Sequence, residues 1–210
     1  MIFSINYFEN ITCPCVAATM VISDNAGLLT GSKELNRPPL QGSERIELVI
    51  KHSFAEEPIE YVFRVWKIGN RVSSNRTQVY TLGLIAEEGL VNEASFLSRT
   101  ISGKAEQIID EILVKEVLKS EKQVFSENSS FDHKMSLSRH RPFDVAAMLA
   151  PKTVRIPKEA NGTSVNSQVS SVEKIEGSAG YFFWETNRGY NFFSVDFLCD
   201  PDNEDVTTWG

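Results

Sequence analysis

The stretch 180-GYFFWETNRGYNFFSVDFL-198 decides how this chain reads. Two aromatic runs, residues 181–184 and 190–193, flank a polar centre of Glu185, Thr186, Asn187, Arg188 and Gly189. Aromatic side chains favour a pleated, half-buried surface, and Asn and Gly tolerate the positive φ of a tight reversal. The pattern predicts a β-hairpin. It concentrates Tyr181, Phe182, Phe183, Trp184, Tyr190, Phe192, Phe193 and Phe197 and holds no catalytic chemistry, so its expected work is packing.

Immediately upstream the texture is helical and polar by turns. Ser102 is placed to cap a helix that starts near Gly103 and carries Glu106 early. Ala105, Ile108, Ile109, Ile112, Leu113, Val117 and Leu118 then form an amphipathic stripe, which is expected to pack against the hairpin sheet. Residues 120–139 read as a long, weakly structured polar connection. Pro142 suits a helix start, and residues 143–150 make a short helix. Residues 152–177 lack an apolar period and read as a surface loop, and the chain closes on an acidic tail with Asp196, Asp200, Asp202, Glu204 and Asp205.

The first part of the chain reads as β. Residues 15–23 form a nearly continuous apolar strand that ends in a turn signal at 24–27. A loop with Gly31, Asn36, Pro38 and Pro39 follows. Residues 44–51 alternate Ile46, Leu48 and Ile50 to one side. After Pro58, Tyr61, Phe63 and Val65 share a face, punctuated by Gly69-Asn70 and 73–75. Residues 78–86 set Tyr80, Leu82 and Leu84 on one side. Four or more antiparallel strands in about 85 residues predict a small barrel or sandwich.

Bulk properties narrow the function classes. The chain has 210 residues, 41% hydrophobic and 23% charged, as expected of a globular protein with a real core. Net charge is −7, with 8 basic and 11 acidic residues up to position 97 and 13 and 17 after it. No basic stripe of the kind phosphate neutralisation demands is present, so sequence-specific nucleic-acid binding is not expected. No apolar run approaches the roughly 20 residues a membrane helix needs, and membrane insertion is not expected. The N-terminal stretch lacks a basic region and carries Glu9, so it does not read as a signal peptide. Asn-x-Ser/Thr triplets begin at Asn10, Asn75, Asn128 and Asn161, and without secretion they carry no meaning.

Candidate chemistry is sparse. Cys13 and Cys15 are spaced to chelate a soft metal, but zinc wants two further ligands, and His52, His133 and His140 show no supporting spacing. As small core residues on one face of a strand the two cysteines need no metal, and that is the stronger reading. With Cys199 the thiol count is odd and gives no disulfide framework. His133 and His140 fall in the polar connection, His140 between Arg139 and Arg141. The pairs Glu56-Glu57 and Glu87-Glu88 point to opposite faces of an extended chain and read as solvated charges. The sequence therefore predicts no enzyme, no catalytic or metal-binding residues and no cofactor.

Taken in order, "AATMVISDNAGLL", "QGSERIELVIK", "YVFRVWKIGNR" with "QVYTLGLIAEEGLVNE", then "LSRTISGKAEQIIDEILVK", "RPFDVAAMLAPKTV" and the aromatic hairpin, the chain resembles the baseplate hub proteins of contractile-tailed, T4-like bacteriophages. The resemblance runs over nearly the whole chain and lies in the order of weak motifs. It implies a mainly β fold with an α+β part: a tail-tube-like β-barrel domain at 1–97 and an α+β hub domain with the aromatic hairpin at 98–210. It implies a structural virion protein of the tail baseplate, assembled in the host cytoplasm. The implied assembly is a homotrimer joining the tail tube protein to the central spike protein beside other baseplate proteins, with DNA passing through the lumen. The family's chains are longer and return to a second tube-like domain, so this sequence is expected to be a fragment or one half of a split hub. A receptor- or effector-binding module of a tail or secretion-spike particle is the competing reading.

Overall fold

A computed structural model describes residues 1–24, 40–51, 58–74, 77–156 and 179–200. The chain divides into two compact units. One is Met1–Ser95 together with Trp184–Gly189, and the other is Phe96–Phe183 with Tyr190–Gly210.

The first unit is built on a five-stranded antiparallel sheet. Its strands are β1 (Ile2–Phe8), β2 (Ala17–Asp24), β3 (Arg45–Ile50), β4 (Ile59–Ser74) and β5 (Thr77–Ala86), in the order β1-β2-β5-β4-β3. One face of each strand supplies the core. Ala18 and Met20, Phe63 and Val65, and Tyr80, Leu82 and Leu84 are all buried, with Ile5, Tyr7, Ile46, Leu48 and Tyr61 packed around them. The expected alternation is therefore present in β4 and β5, and in β3 for Ile46 and Leu48, while Ile50 is exposed.

The sheet curls. Bulges interrupt β4 between Val65 and Lys67 and between Gly69 and Val72, and bulges add twist and bend. The strand runs through the expected punctuation at Gly69-Asn70 because Asn70 takes a positive φ of 37° within the irregularity. Curling brings the Tyr7 ring on β1 to 4.6 Å from that of Tyr61 on β4, although two strands lie between them in the sheet. The small barrel or sandwich expected is present as an open half-barrel: among the described strands, β1 and β3 are edges that do not pair with each other. Both are thin in apolar anchors, since β1 turns only Ile5 and Tyr7 inward and β3 only Ile46 and Leu48.

Two elements of this unit escape the sequence reading. One is β1 itself. The other is α1 (Glu87–Ala94), whose first turn holds Glu87 and Glu88. These are not loop charges: acidic side chains at a helix N-terminus meet the positive end of the helix dipole, and Glu87 also accepts from the Arg64 guanidinium.

The second unit contains β6 (Thr100–Lys104), α2 (Ala105–Asp110), a π-helical continuation at Glu111–Glu116, β7 (Gln123–Ser126), β8 (Asp132–Ser136) and α3 (Pro142–Leu149). A 3-10 turn at Ala150–Lys152 follows, then β9 (Tyr181–Thr186), β10 (Gly189–Ser194) and α4 (Val195–Leu198). β7, β10 and β9 form one sheet in that order, and β6 pairs with β8. Ser102 is not a helix cap: it lies in β6 opposite Lys134, Gly103 follows with φ of 142°, and Lys104 is the N-cap. The apolar stripe holds. Ala105, Ile108, Ile109, Ile112 and Leu113 are buried, and the π-turn carries the long step from Leu113 to buried Leu118.

Residues 120–139 are not a weakly structured connection, because β7 and β8 lie within them. Their partners, β10 and β6, are distant in sequence, so local pattern alone does not expose them. The short helix from Pro142 forms as read. Its Phe143 ring sits 5.9 Å from Phe183 and 6.0 Å from Tyr190, which stack on each other at 5.9 Å. Tyr181 and Phe192 add a second contact at 4.8 Å. The loop at 31–39, the larger part of the surface loop (157–177) and the acidic tail from residue 201 lie outside the described residues.

Candidate assembly surface

The groups singled out for chemistry do not converge. Residues 9–16 form a turn in which Asn10 Oδ1 accepts from Thr12 N at 2.9 Å and from Thr12 Oγ1 at 2.8 Å, and Cys13 N donates to Asn10 O at 2.9 Å. Cys13 and Cys15 are thus not core residues of a strand. Cys13 is exposed, while Cys15 turns its sulfur toward Gly89, where an added Cβ would lie 2.7 Å from it. Among the described residues no three His, Cys, Asp or Glu side chains are grouped to hold a metal.

His52 and the Glu56-Glu57 pair lie outside the described residues. His133 sits on β8 opposite Gly103, its Nε2 enclosed without a hydrogen-bond partner. Burial lowers its proton affinity, and Lys152 and Lys104 act in the same direction, against Glu106 and Asp132. His140 is held elsewhere: its backbone pairs with Leu97, and its Nδ1 accepts from Ser138 N at 3.1 Å.

The unit-one surface offers contact area instead. On β1, Ile2, Phe3 and Phe8 are more than half exposed. At the opposite edge Val49 and Ile50 of β3 are exposed, and along β4 so are Ile59, Trp66, Ile68 and Val72. Gly83 on β5 makes room for Trp66, since a Cβ there would stand 3.0 Å from its Nε1. Edge strands present backbone donors and acceptors ready for another strand, and exposed apolar clusters mark interaction sites more often than reactive ones. The sequence signal for β1 was available in the β-favouring run of Ile2, Phe3, Ile5, Tyr7 and Phe8.

The hairpin tip, residues 184–189, completes this same unit. Glu185 is no turn residue: it ends fully buried, and its Oε2 accepts from Val16 N at 2.7 Å. The Val16 carbonyl in turn accepts from Ala86 N at 3.1 Å. Asn187 N donates to Glu9 Oε1 at 2.8 Å, and the same carboxylate oxygen takes the Tyr7 hydroxyl. Burial, and then bonding to Glu9, raises the Tyr7 pKa above the ordinary phenol range. Two carboxylates therefore join the tip to the connection between β1 and β2, one supplied from each side.

No protein-family model and no curated protein sequence matches this chain. Solved structures do. A tail protein from Neisseria meningitidis MC58 aligns with a TM-score of 0.52 at 10% identity, covering 90% of this chain and 44% of that one. The 43 kDa tail protein of prophage MuSo2 from Shewanella oneidensis aligns at 0.49 and 10% identity, covering 90% and 48%. An E. coli component of the type VI secretion system, described as similar to the T4 tail proteins gp27 and gp5, aligns at 0.46 and 10%, covering 92% and 48%. The chain spans less than half the length of each. At this identity the first likeness speaks for the fold alone: this mainly β chain, a curled half-barrel sheet with several helices, has a tail-protein-like fold.

Proposed function

We propose that the chain is a structural subunit of a phage-type tail, a baseplate hub component that joins the tail tube to the central spike. The observation that carries this reading is the half-barrel with two open edges, β1 and β3, each bearing exposed apolar side chains, within a fold shared with a tail protein. In the antiparallel order β1-β2-β5-β4-β3 the two edge strands run in the same direction. A heterologous, head-to-tail contact between copies therefore sets β3 of one copy parallel to β1 of the next, and such contacts make a ring where the rotation between copies closes. Residues 1–97, completed by the hairpin tip at 184–189, act as the tube-like domain, and the rest of 98–210 as the hub domain. The protein works without catalysis or a cofactor, as a homotrimer in the virion tail baseplate assembled in the host cytoplasm. Its partners are itself, the tail tube protein, the central spike protein and other baseplate proteins.

Mass photometry and negative-stain imaging of the purified chain, alone and mixed with tail-tube and spike subunits, test this. Trimers or rings, and co-assembly with both subunits, are the expected result. A strict monomer that associates with neither overturns the reading.

A further inference from the structure

We infer that the hairpin tip is a clasp for edge strand β1, so that the first unit gains its outer strand only when residues 184–189 are seated. This inference does not depend on the tail role. Among the described strands β1 pairs only with β2, and most of its residues are exposed. By contrast β2 is held on its other side by β5 in an eight-residue register, from Ala17 opposite Ile85 to Asp24 opposite Gln78. Beyond its own ladder β1 is anchored by Ile5 and Tyr7 in the core and by the connection at 9–16, and that connection is where the tip lands.

The two contacts run in opposite senses. Glu185, buried, accepts from Val16 N, and Glu9 accepts from Asn187 N. They span 169 and 178 positions of sequence. The Glu185 bond forms out of water, where the Val16 amide has no solvent to turn to, and it forms only after a very long loop has closed. Removing it leaves Val16 N without its acceptor at a buried site, a loss felt first in the 9–16 connection and β1. The ladders β2·β5, β5·β4 and β4·β3 contain neither contact and keep their support. The exposed β1 edge is thereby presented only by a chain whose last strands are already made.

Hydrogen exchange on the full chain, followed in peptides covering 1–16, 77–85 and 132–136, tests the clasp. Glu185→Ala is expected to speed exchange in 1–16 by about tenfold or more while 77–85 and 132–136 stay near their original rates. Glu185→Gln keeps an oxygen for Val16 N and is expected to fall between the two. Unchanged protection of 1–16 in Glu185→Ala, or an equal rise in all three peptides, overturns the inference. Should Glu185→Ala fail to fold, the surface pair decides. Glu9→Ala is expected to speed exchange in 1–16 by about threefold, while Tyr7→Phe, which leaves the Asn187 bond intact, does not. Equal effects of Glu9→Ala and Tyr7→Phe, or no effect of Glu9→Ala, overturn it as well.

Discussion

The five-stranded sheet and the aromatic hairpin are both β, yet they solve burial in different ways. Along β5, fully buried Tyr80, Leu82, Leu84 and Ala86 alternate with half-buried neighbours. Along β9 and β10 nearly every residue is buried, on both faces. A strand with one wet face writes its burial into the sequence as alternation. A strand covered on both faces takes polar side chains inside with the aromatic ones, and each then needs a partner. Glu185 finds Val16 N. Ser194 donates its hydroxyl to Glu127 at 2.7 Å, and Glu127 also meets Arg155 at 2.5 Å. The aromatic run is thus not the whole of the hairpin's stability; a set of buried hydrogen bonds adds to it.

Truncations give the largest test of that contrast. Phe192→Ala, at a site fully buried beside Tyr181, is expected to cost about 3–5 kcal/mol, and Leu84→Ala in the half-barrel about 2–5 kcal/mol, by urea unfolding. A Phe192→Ala variant as stable as the parent would break the picture of a doubly covered hairpin. Next comes Gly89→Ala. Alanine is ordinarily the better helix former, but here its Cβ would stand 2.7 Å from Cys15 Sγ and 2.8 Å from Ile85 Cδ1. Overpacking of this kind costs about 1–3 kcal/mol, so a net loss is expected where an exposed helix would gain about 1 kcal/mol.

A smaller, pH-dependent effect belongs to the second unit. His133 has a lowered proton affinity in the folded chain, so below its ordinary value of 6.5 the unfolded chain binds protons more readily. Stability is expected to fall as pH drops through that value and to level once the folded group protonates too. His133→Gln should flatten this slope in unfolding curves taken from pH 8 to pH 5, and an unchanged slope would assign the dependence to other groups. Smallest in stability is Phe3→Lys on the exposed edge, expected to stay within about 0.5 kcal/mol of the parent while weakening association between copies. If association is unaffected, β1 is not the contact edge.

Legibility followed the range of the interactions. Tyr80, Leu82 and Leu84, the stripe from Ala105 to Leu118 and the helix at Pro142 were readable because apolar period and the fit of proline to a first helical turn are local properties. β7 and β8 were not, since Gln123–Ser126 and Asp132–Ser136 are short segments within a polar stretch, and their strand character comes from pairing with β10 and β6. The cysteines were misplaced for a related reason: the Asn10 side chain turns the backbone at 10–13 before Cys13 reaches a strand.

At the hairpin, the sequence by itself determined that two aromatic strands would meet at a polar reversal and that their work would be packing. Only the tertiary structure decided that Glu185 and Thr186 are buried strand residues, that the turn narrows to Asn187-Arg188, and that the tip belongs with residues 1–95. The physical reason is that a carboxylate reads as solvated until a distant amide is brought to meet it. Val16 N, 169 positions away in sequence, becomes that partner only in the folded chain.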